Sequence, residues 1–136
     1  MRPAEQITQI APLSFRVLLV DDQRAFRTHL CKLLTAAGLT VVGEAGDMVE
    51  AETLVSALRP DLVVVDVMLP GVSGLEGVPR LKALLPSLRV FLISAHADEG
   101  GALRRAALAA GAEAFVAKDV LDLTLVQAWG RAPADG

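Results

Sequence analysis

The chain has 136 residues, 53% of them hydrophobic, with one cysteine, Cys31, and a formal net charge of −3. That length holds one ordinary domain with a sizeable core but not two, the charge gives no general attraction to nucleic acid, and one cysteine excludes an internal disulfide or a cysteine metal cluster. No stretch reaches the roughly 18 apolar residues of a membrane span, and the start, Met1-Arg2-Pro3-Ala4-Glu5-Gln6, lacks the apolar core of a signal peptide, so a soluble cytoplasmic protein is the expectation.

Residues 1–14 are weakly patterned and read as an extension. The apolar run 15–20 reads as a strand ending in two acids, Asp21 and Asp22. Phe26, Leu30, Leu33, Leu34 and Ala37 then fall on one helix face, and Gly38 caps that helix. A second strand is expected at 39–42. A second helix, carried by Ala51, Leu54, Val55 and Leu58, is stopped by Pro60. The run 62–65 is a third strand, which delivers Asp66 into the loop Val67-Met68-Leu69-Pro70-Gly71-Val72-Ser73-Gly74. A third helix over 74–85 is closed by Pro86. Pro79 inside it costs roughly 3 kcal/mol or more, unless the helix kinks or starts later. The fourth strand, 90–93, ends at Ser94. Gly100-Gly101 weakens the first turn of a fourth helix, carried by Leu103, Ala106, Ala107 and Ala110 and closed by Gly111. A fifth strand at 114–116 precedes Lys118. The last helix, 120–129, carries one stripe of Leu121, Leu125 and Trp129 and another of Val120, Leu123 and Val126. Residues 130–136 read as a tail or the start of a linker, which leaves 15–129 as the domain.

Five strands alternating with five helices predict an α/β fold, a doubly wound parallel sheet with helices on both faces. Open sheets of this kind bind ligands at the C-terminal ends of their strands. There the chain places Asp21, Asp22, Asp66, Ser94 and Lys118. Two carboxylates about 5 Å apart repel by about 3 kcal/mol at an effective dielectric of 20, so such a cluster calls for a cation. Oxygen-only donors favour Mg²⁺ or Mn²⁺ over zinc. Carboxylates, a hydroxyl, a lysine and a divalent ion form a site for a phosphoryl group, and one carboxylate can serve as its acceptor. Each residue alone has a plainer reading. An acid after a strand is often an N-cap, Ser94 and Lys118 are ordinary surface types, and Phe115 is a core residue. Their joint placement on different strand ends carries the inference.

Leu18-Leu19-Val20-Asp21-Asp22, Val64-Val65-Asp66 with its loop to Gly74, Leu92-Ile93-Ser94-Ala95 and Ala117-Lys118 together resemble the receiver domain of two-component response regulators, over about residues 15–128. The resemblance implies a flavodoxin-like (βα)5 fold with strand order 2-1-3-4-5. It implies Asp66 as phosphoacceptor, a histidine kinase or a small phosphodonor as the source, and self-catalysed phosphorylation and dephosphorylation. Asp21, Asp22, Asp66 and the Met68 backbone carbonyl would hold Mg²⁺, Ser94 and Lys118 would contact the phosphoryl group, and Phe115 would turn inward as a switch. Met68 and His96 would sit where side chains influence hydrolysis. Kinase recognition would use the first helix, with Arg24, Arg27, Thr28 and Cys31 as candidates. Output would leave through the face of the fourth helix, fifth strand and fifth helix, by homodimerisation or partner docking, without direct DNA binding by these residues. Lys118 is followed by Asp119, where many receivers have proline, and the run from Ala110 to Asp119 is similar to the subfamily whose outputs are often helix-turn-helix domains.

Three other readings compete. A haloacid-dehalogenase-like phosphatase would want an acid or threonine where Met68 stands. A flavodoxin would want a hydroxyl- and glycine-rich loop where Asp21-Asp22-Gln23-Arg24 would repel phosphate. A pseudo-receiver, a non-phosphorylated interaction module, would usually have lost one of the five site residues. The expectation is a receiver with no output domain within these 136 residues.

Overall fold

In the computed structural model the three most apolar runs lie side by side as the centre of one sheet. They are β1 (Arg16–Val20), β3 (Leu62–Asp66) and β4 (Arg89–Ser94), and nearly every residue in them is buried. Runs of Val, Leu and Ile with no polar face are stable as strands only when covered on both sides. The edges are β2 (Thr40–Ala45) and β5 (Ala114–Ala117). The order is β2-β1-β3-β4-β5 and every pairing is parallel, as the sequence predicts. The structure describes residues 15–96 and 98–130. The expected extension, 1–14, and residues 131–136 of the expected tail lie outside them.

Among the described residues five α-helices cover the sheet: α1 (Arg24–Ala36), α2 (Met48–Leu58), α3 (Gly74–Leu84), α4 (Ala102–Ala110) and α5 (Leu123–Trp129). One core packs Met48, Ala51 and Val55 of α2, Val78 and Leu81 of α3 and Ala107 of α4 against Leu18, Val63, Val65 and Leu92. The other packs Leu30 and Leu34 of α1 and Val126 and Trp129 of α5 against Val17, Leu19, Val64 and Phe91. The alternation of side chains along each strand sorts them between these two cores.

Pro79 neither breaks α3 nor delays its start. The start is fixed by a capping box, in which Ser73 Oγ accepts from Glu76 N and Glu76 Oε1 accepts from Ser73 N. Gly74 at the head of α3 is a steric requirement, because a Cβ there would overlap the carbonyl oxygen of Asp66. The weak entry to α4 has its own remedy. Gly100 and Gly101 both take positive φ, in a 3₁₀ turn over Glu99–Gly101. The Asp98 carboxylate reaches across them to accept from Leu103 N at 2.8 Å and Arg104 N at 3.0 Å. A carboxylate on the first free N–H groups of a helix is the usual N-cap interaction, supplied here from outside the cap position.

The last helix is shorter than expected. Residues Lys118–Val120 form a 3₁₀ turn, Leu121 is extended, and Asp122 caps α5 by accepting from Leu125 N at 2.8 Å. Leu121, Leu125 and Trp129 therefore do not form one helical stripe. Trp129 is buried, with its ring centroid 4.8 Å from that of Phe91. It covers the core edge and offers no docking surface. The exposed apolar residues nearby are Val120, Leu123 and, on α4, Leu108.

Arg89 ties the lower end of this side together. It makes a two-pronged contact with Glu113, at 2.8 and 2.7 Å, and donates to the Trp129 carbonyl at 3.0 Å. The hydrogen bonds from Arg89 hold the Glu113 carboxyl below its ordinary range, against the opposing effect of burial. A depressed carboxylate contributes stability above its unfolded pKa and loses it as pH falls through the folded one. Glu113→Gln should thus lower stability by about 1 kcal/mol at pH 7, given the partial exposure of the pair. The difference from wild type should shrink as pH falls from the ordinary carboxylate value through the lowered one. Denaturant melts at several pH values measure this, and a pH-independent difference would remove the ion pair as its cause.

Candidate functional site

Strand register assembles the site. Val20 pairs with Val65, Val65 with Leu92, and Ser94 with Ala117. Asp21, Asp66, Ser94 and Lys118, each ending or following one of these strands, are therefore brought to one edge of the sheet. Asp21, Asp66 and Ser94 are the three buried polar or charged residues among those described.

Asp21 Oδ1 accepts from Gln23 N at 2.8 Å, and its backbone N–H donates to the Ala45 carbonyl. Asp66 Oδ1 accepts from Met68 N at 2.9 Å, which draws the Met68 backbone beside Asp66 while its side chain stays exposed. The Lys118 ammonium bridges the two acids, 2.7 Å from Asp21 Oδ2 and 2.9 Å from Asp66 Oδ2. Asp22 is exposed at the rim, yet oxygens of Asp21, Asp22 and Asp66 all lie within 4.8 Å of one another.

The electrostatics follow from burial. Desolvation pushes the Asp66 carboxyl above its usual value, and the neighbouring Asp21 adds to the rise. The Met68 N–H and Lys118 pull against it without cancelling it. Burial acts to lower the Lys118 ammonium, but the carboxylates of Asp21 and Asp66 outweigh it and hold the lysine above its ordinary value. Lys118 is thus a fixed positive charge, and the pocket remains two units negative by formal count.

This donor set fits a hard divalent cation. The ligand atoms are all oxygens. Asp21 Oδ2 is buried and, although in ion-pair range of Lys118, lacks an aligned hydrogen bond. Among the described residues Asp22 has no cationic partner at all. Lys118 thus offsets one of three clustered negative charges, leaving one buried oxygen short of an aligned hydrogen bond and an exposed carboxylate beside it.

Ser94 Oγ accepts from His96 N at 3.1 Å and lies 3.4 Å from the His96 carbonyl. Phe115 is buried in the α2–α3–α4 core, with the Arg104 guanidinium 5.7 Å from its ring centroid. The structure therefore holds this ring inside while the Ser94 hydroxyl is engaged by the loop that leads to α4. His96 is exposed.

Two residues of α1 take parts that the sequence did not announce. Arg27, expected on a recognition surface, is tied inward. It donates to the Asp21 carbonyl and pairs with Glu44 at 2.8 Å. Arg24 and Thr28 are exposed and Cys31 is half-buried. Phe26, read as a core position, turns its ring toward Lys118, whose Nζ lies 4.1 Å from the ring centroid. Its place on the apolar face of α1 gave no signal of that contact.

Comparison with known proteins agrees with this fold. The model of the response regulator receiver domain matches residues 17–129. The chain is 40% identical over 114 residues to the DNA-binding transcriptional activator DevR/DosR of Mycobacterium tuberculosis, covering 83% of this chain and 52% of that protein. It is 31% identical to the chemotaxis protein CheY of Thermotoga maritima, covering 83% of this chain and 92% of that one. Among solved structures, the signal receiver domain of the putative response regulator NarL from M. tuberculosis superposes with a TM-score of 0.78 at 33% identity, over 87% of this chain and 94% of that one. The chain spans about half or less of the length of several curated relatives that it matches. With a match over nearly all of the described residues, the chain belongs to the response regulator receiver domain family.

Proposed function

We propose that this chain accepts a phosphoryl group on Asp66, from a histidine kinase or a small phosphodonor, and that residues 15–129 act as the switching unit. One observation carries the reading: a buried acid at a strand end, bridged by lysine to a second buried acid, with a third at the rim. A carboxylate oxygen of Asp66 attacks phosphorus. The phosphorus–nitrogen bond of a phosphohistidine, or the phosphorus–oxygen bond of acetyl phosphate, breaks, and the leaving group departs with the electron pair. Lys118 moves from the carboxylate oxygen it now holds to a phosphoryl oxygen, so its charge counters the added negative charge. Ser94 exchanges its bonds to His96 for one to the phosphoryl group. Asp21, Asp22, Asp66 and the Met68 carbonyl would hold Mg²⁺ or Mn²⁺, which supplies screening between the acids and an incoming phosphate.

The metal reading has its own test. Because Asp22 is exposed while Asp21 and Asp66 already share Lys118, Asp22→Asn should change metal-free stability little. It should remove the rise in melting temperature that millimolar Mg²⁺ gives the wild type, and with it Mg²⁺-dependent labelling. A wild type whose melting is indifferent to Mg²⁺ would count against the site.

Output, on this reading, leaves through α4, β5 and α5. Leu108, Val120 and Leu123 are the large exposed apolar side chains on or beside that face among the described residues, and Ser94 and His96 precede α4 in the chain. Phosphorylation would strengthen a homodimer or partner contact through that face, inside the cell where kinases and their donors meet. The net charge of −3 favours a protein partner over DNA for these 136 residues, although DevR/DosR is named as DNA-binding. Sedimentation with and without beryllofluoride should show a mass increase that Leu123→Glu abolishes. A monomer in both states would leave only hetero-partner docking.

A further inference from the structure

We propose that Phe26 is a positioning residue for Lys118, its ring face holding the ammonium in place for phosphoryl transfer. This rests on the reading of Asp66 as acceptor. An ammonium has three protons to place. Two sides of Lys118 face Asp21 Oδ2 and Asp66 Oδ2 at 2.7 and 2.9 Å. Phe26 presents its π face to the same nitrogen, 4.1 Å from the centroid, inside the range in which a ring attracts a cation. The contact joins α1 to the residue that follows β5, and Phe26 is half-buried against the second core.

The ring does something that neither acid can. A third carboxylate would draw the lysine off Asp66, and water would hydrate it and weaken its field. An aromatic face attracts the charge without donating or accepting a directed bond. The nitrogen therefore stays poorly hydrated and free to pass from the Asp66 oxygen to a phosphoryl oxygen. An aliphatic residue of similar bulk keeps the packing but loses that attraction. Phe26 touches neither donor nor acceptor, so its effect runs through Lys118.

The test uses the full chain with Mg²⁺ and acetyl phosphate, comparing wild type with Phe26→Leu, Phe26→Tyr, and a series bearing progressively fluorinated phenylalanine at position 26. Fluorination drains the π face while leaving ring shape nearly unchanged. Phe26→Leu should slow labelling at saturating donor by about five- to thirty-fold, with the half-saturating donor concentration little changed. Phe26→Tyr should restore the rate, and the fluorinated series should fall in order. Without any donor, the Lys118 side-chain protons should show an upfield ring-current shift in wild type and Phe26→Tyr that Phe26→Leu loses. Labelling indifferent to fluorination, or no ring-current shift in the wild type, overturns the positioning role. A wild type that takes no label overturns the acceptor reading, and the role of Phe26 falls with it.

Discussion

Asp66→Asn should reduce phosphorylation to background while leaving the fold intact. Incubated with acetyl phosphate and Mg²⁺, the wild type should gain the mass of one phosphoryl group, and the variant should gain none. The reason is chemical before it is structural. An amide nitrogen or oxygen is a poor nucleophile toward phosphorus, whereas the carboxylate of Asp66 is already aimed into the pocket. Its Oδ1 is fixed by the Met68 N–H and its Oδ2 by Lys118. The asparagine can keep the bond from Met68 N through its own oxygen, so the loop to Gly74 keeps its shape. It also deletes a buried charge whose burial already pushes its carboxyl upward. Its amide nitrogen would, however, face the Lys118 ammonium donor to donor, so without metal the variant should melt above wild type only if relief of that burial exceeds the loss of the Lys118 contact. Equal labelling of both proteins would sink the assignment. Asp21 would be the next acid to test, because it lies within reach of the same lysine.

The sequence made the architecture legible because the signals were long. Four-residue runs such as Leu62 to Val65, bounded by an acid on one side and Pro60 on the other, have few other uses in a chain of this size. The order of strands came from the family resemblance, since periodicity alone does not order a sheet. Which acids converge was legible from the strand ends, because register carries Asp21 and Asp66 to the same edge once their strands pair. The departures have two causes, local caps and contacts between elements. Leu121 and Leu125 have helical spacing, yet Asp122 between them is a better N-cap than a helix interior residue, and it starts the helix after Leu121. Ser73 and Glu76 are a capping box, so the start of α3 is set five residues before Pro79 is reached. Arg27 and Phe26 act through contacts to other elements, with Asp21 and Glu44 for one and with Lys118 for the other. Such contacts leave no trace in local spacing.

The largest effect on stability should come from Lys118→Met. The methionine keeps much of the side chain's length and apolar stem, so packing beside Phe26 changes little. What disappears is the only cation in ion-pair range of Asp21 and Asp66 among the described residues. Both carboxylates are nearly inaccessible to solvent. Breaking a buried ion pair by removing one partner costs about 3–5 kcal/mol, more than deleting both, because a bare charge stays behind. In chelator the variant should lose about that much in urea melts. Mg²⁺ should then stabilise it more than it stabilises the wild type, since a divalent cation held by the same acids replaces the missing charge and no longer competes with the ammonium. The gap between the two proteins should therefore narrow as Mg²⁺ rises, in proportion to the difference in metal affinity. On the proposed role of Lys118, labelling should not recover with it, because restoring charge to the resting pocket does not supply an ammonium that can follow the phosphoryl oxygen. A variant as stable as wild type in chelator would mean that Asp21 and Asp66 are reached by water or protonated in the resting protein. Lys118 would then matter to transfer alone.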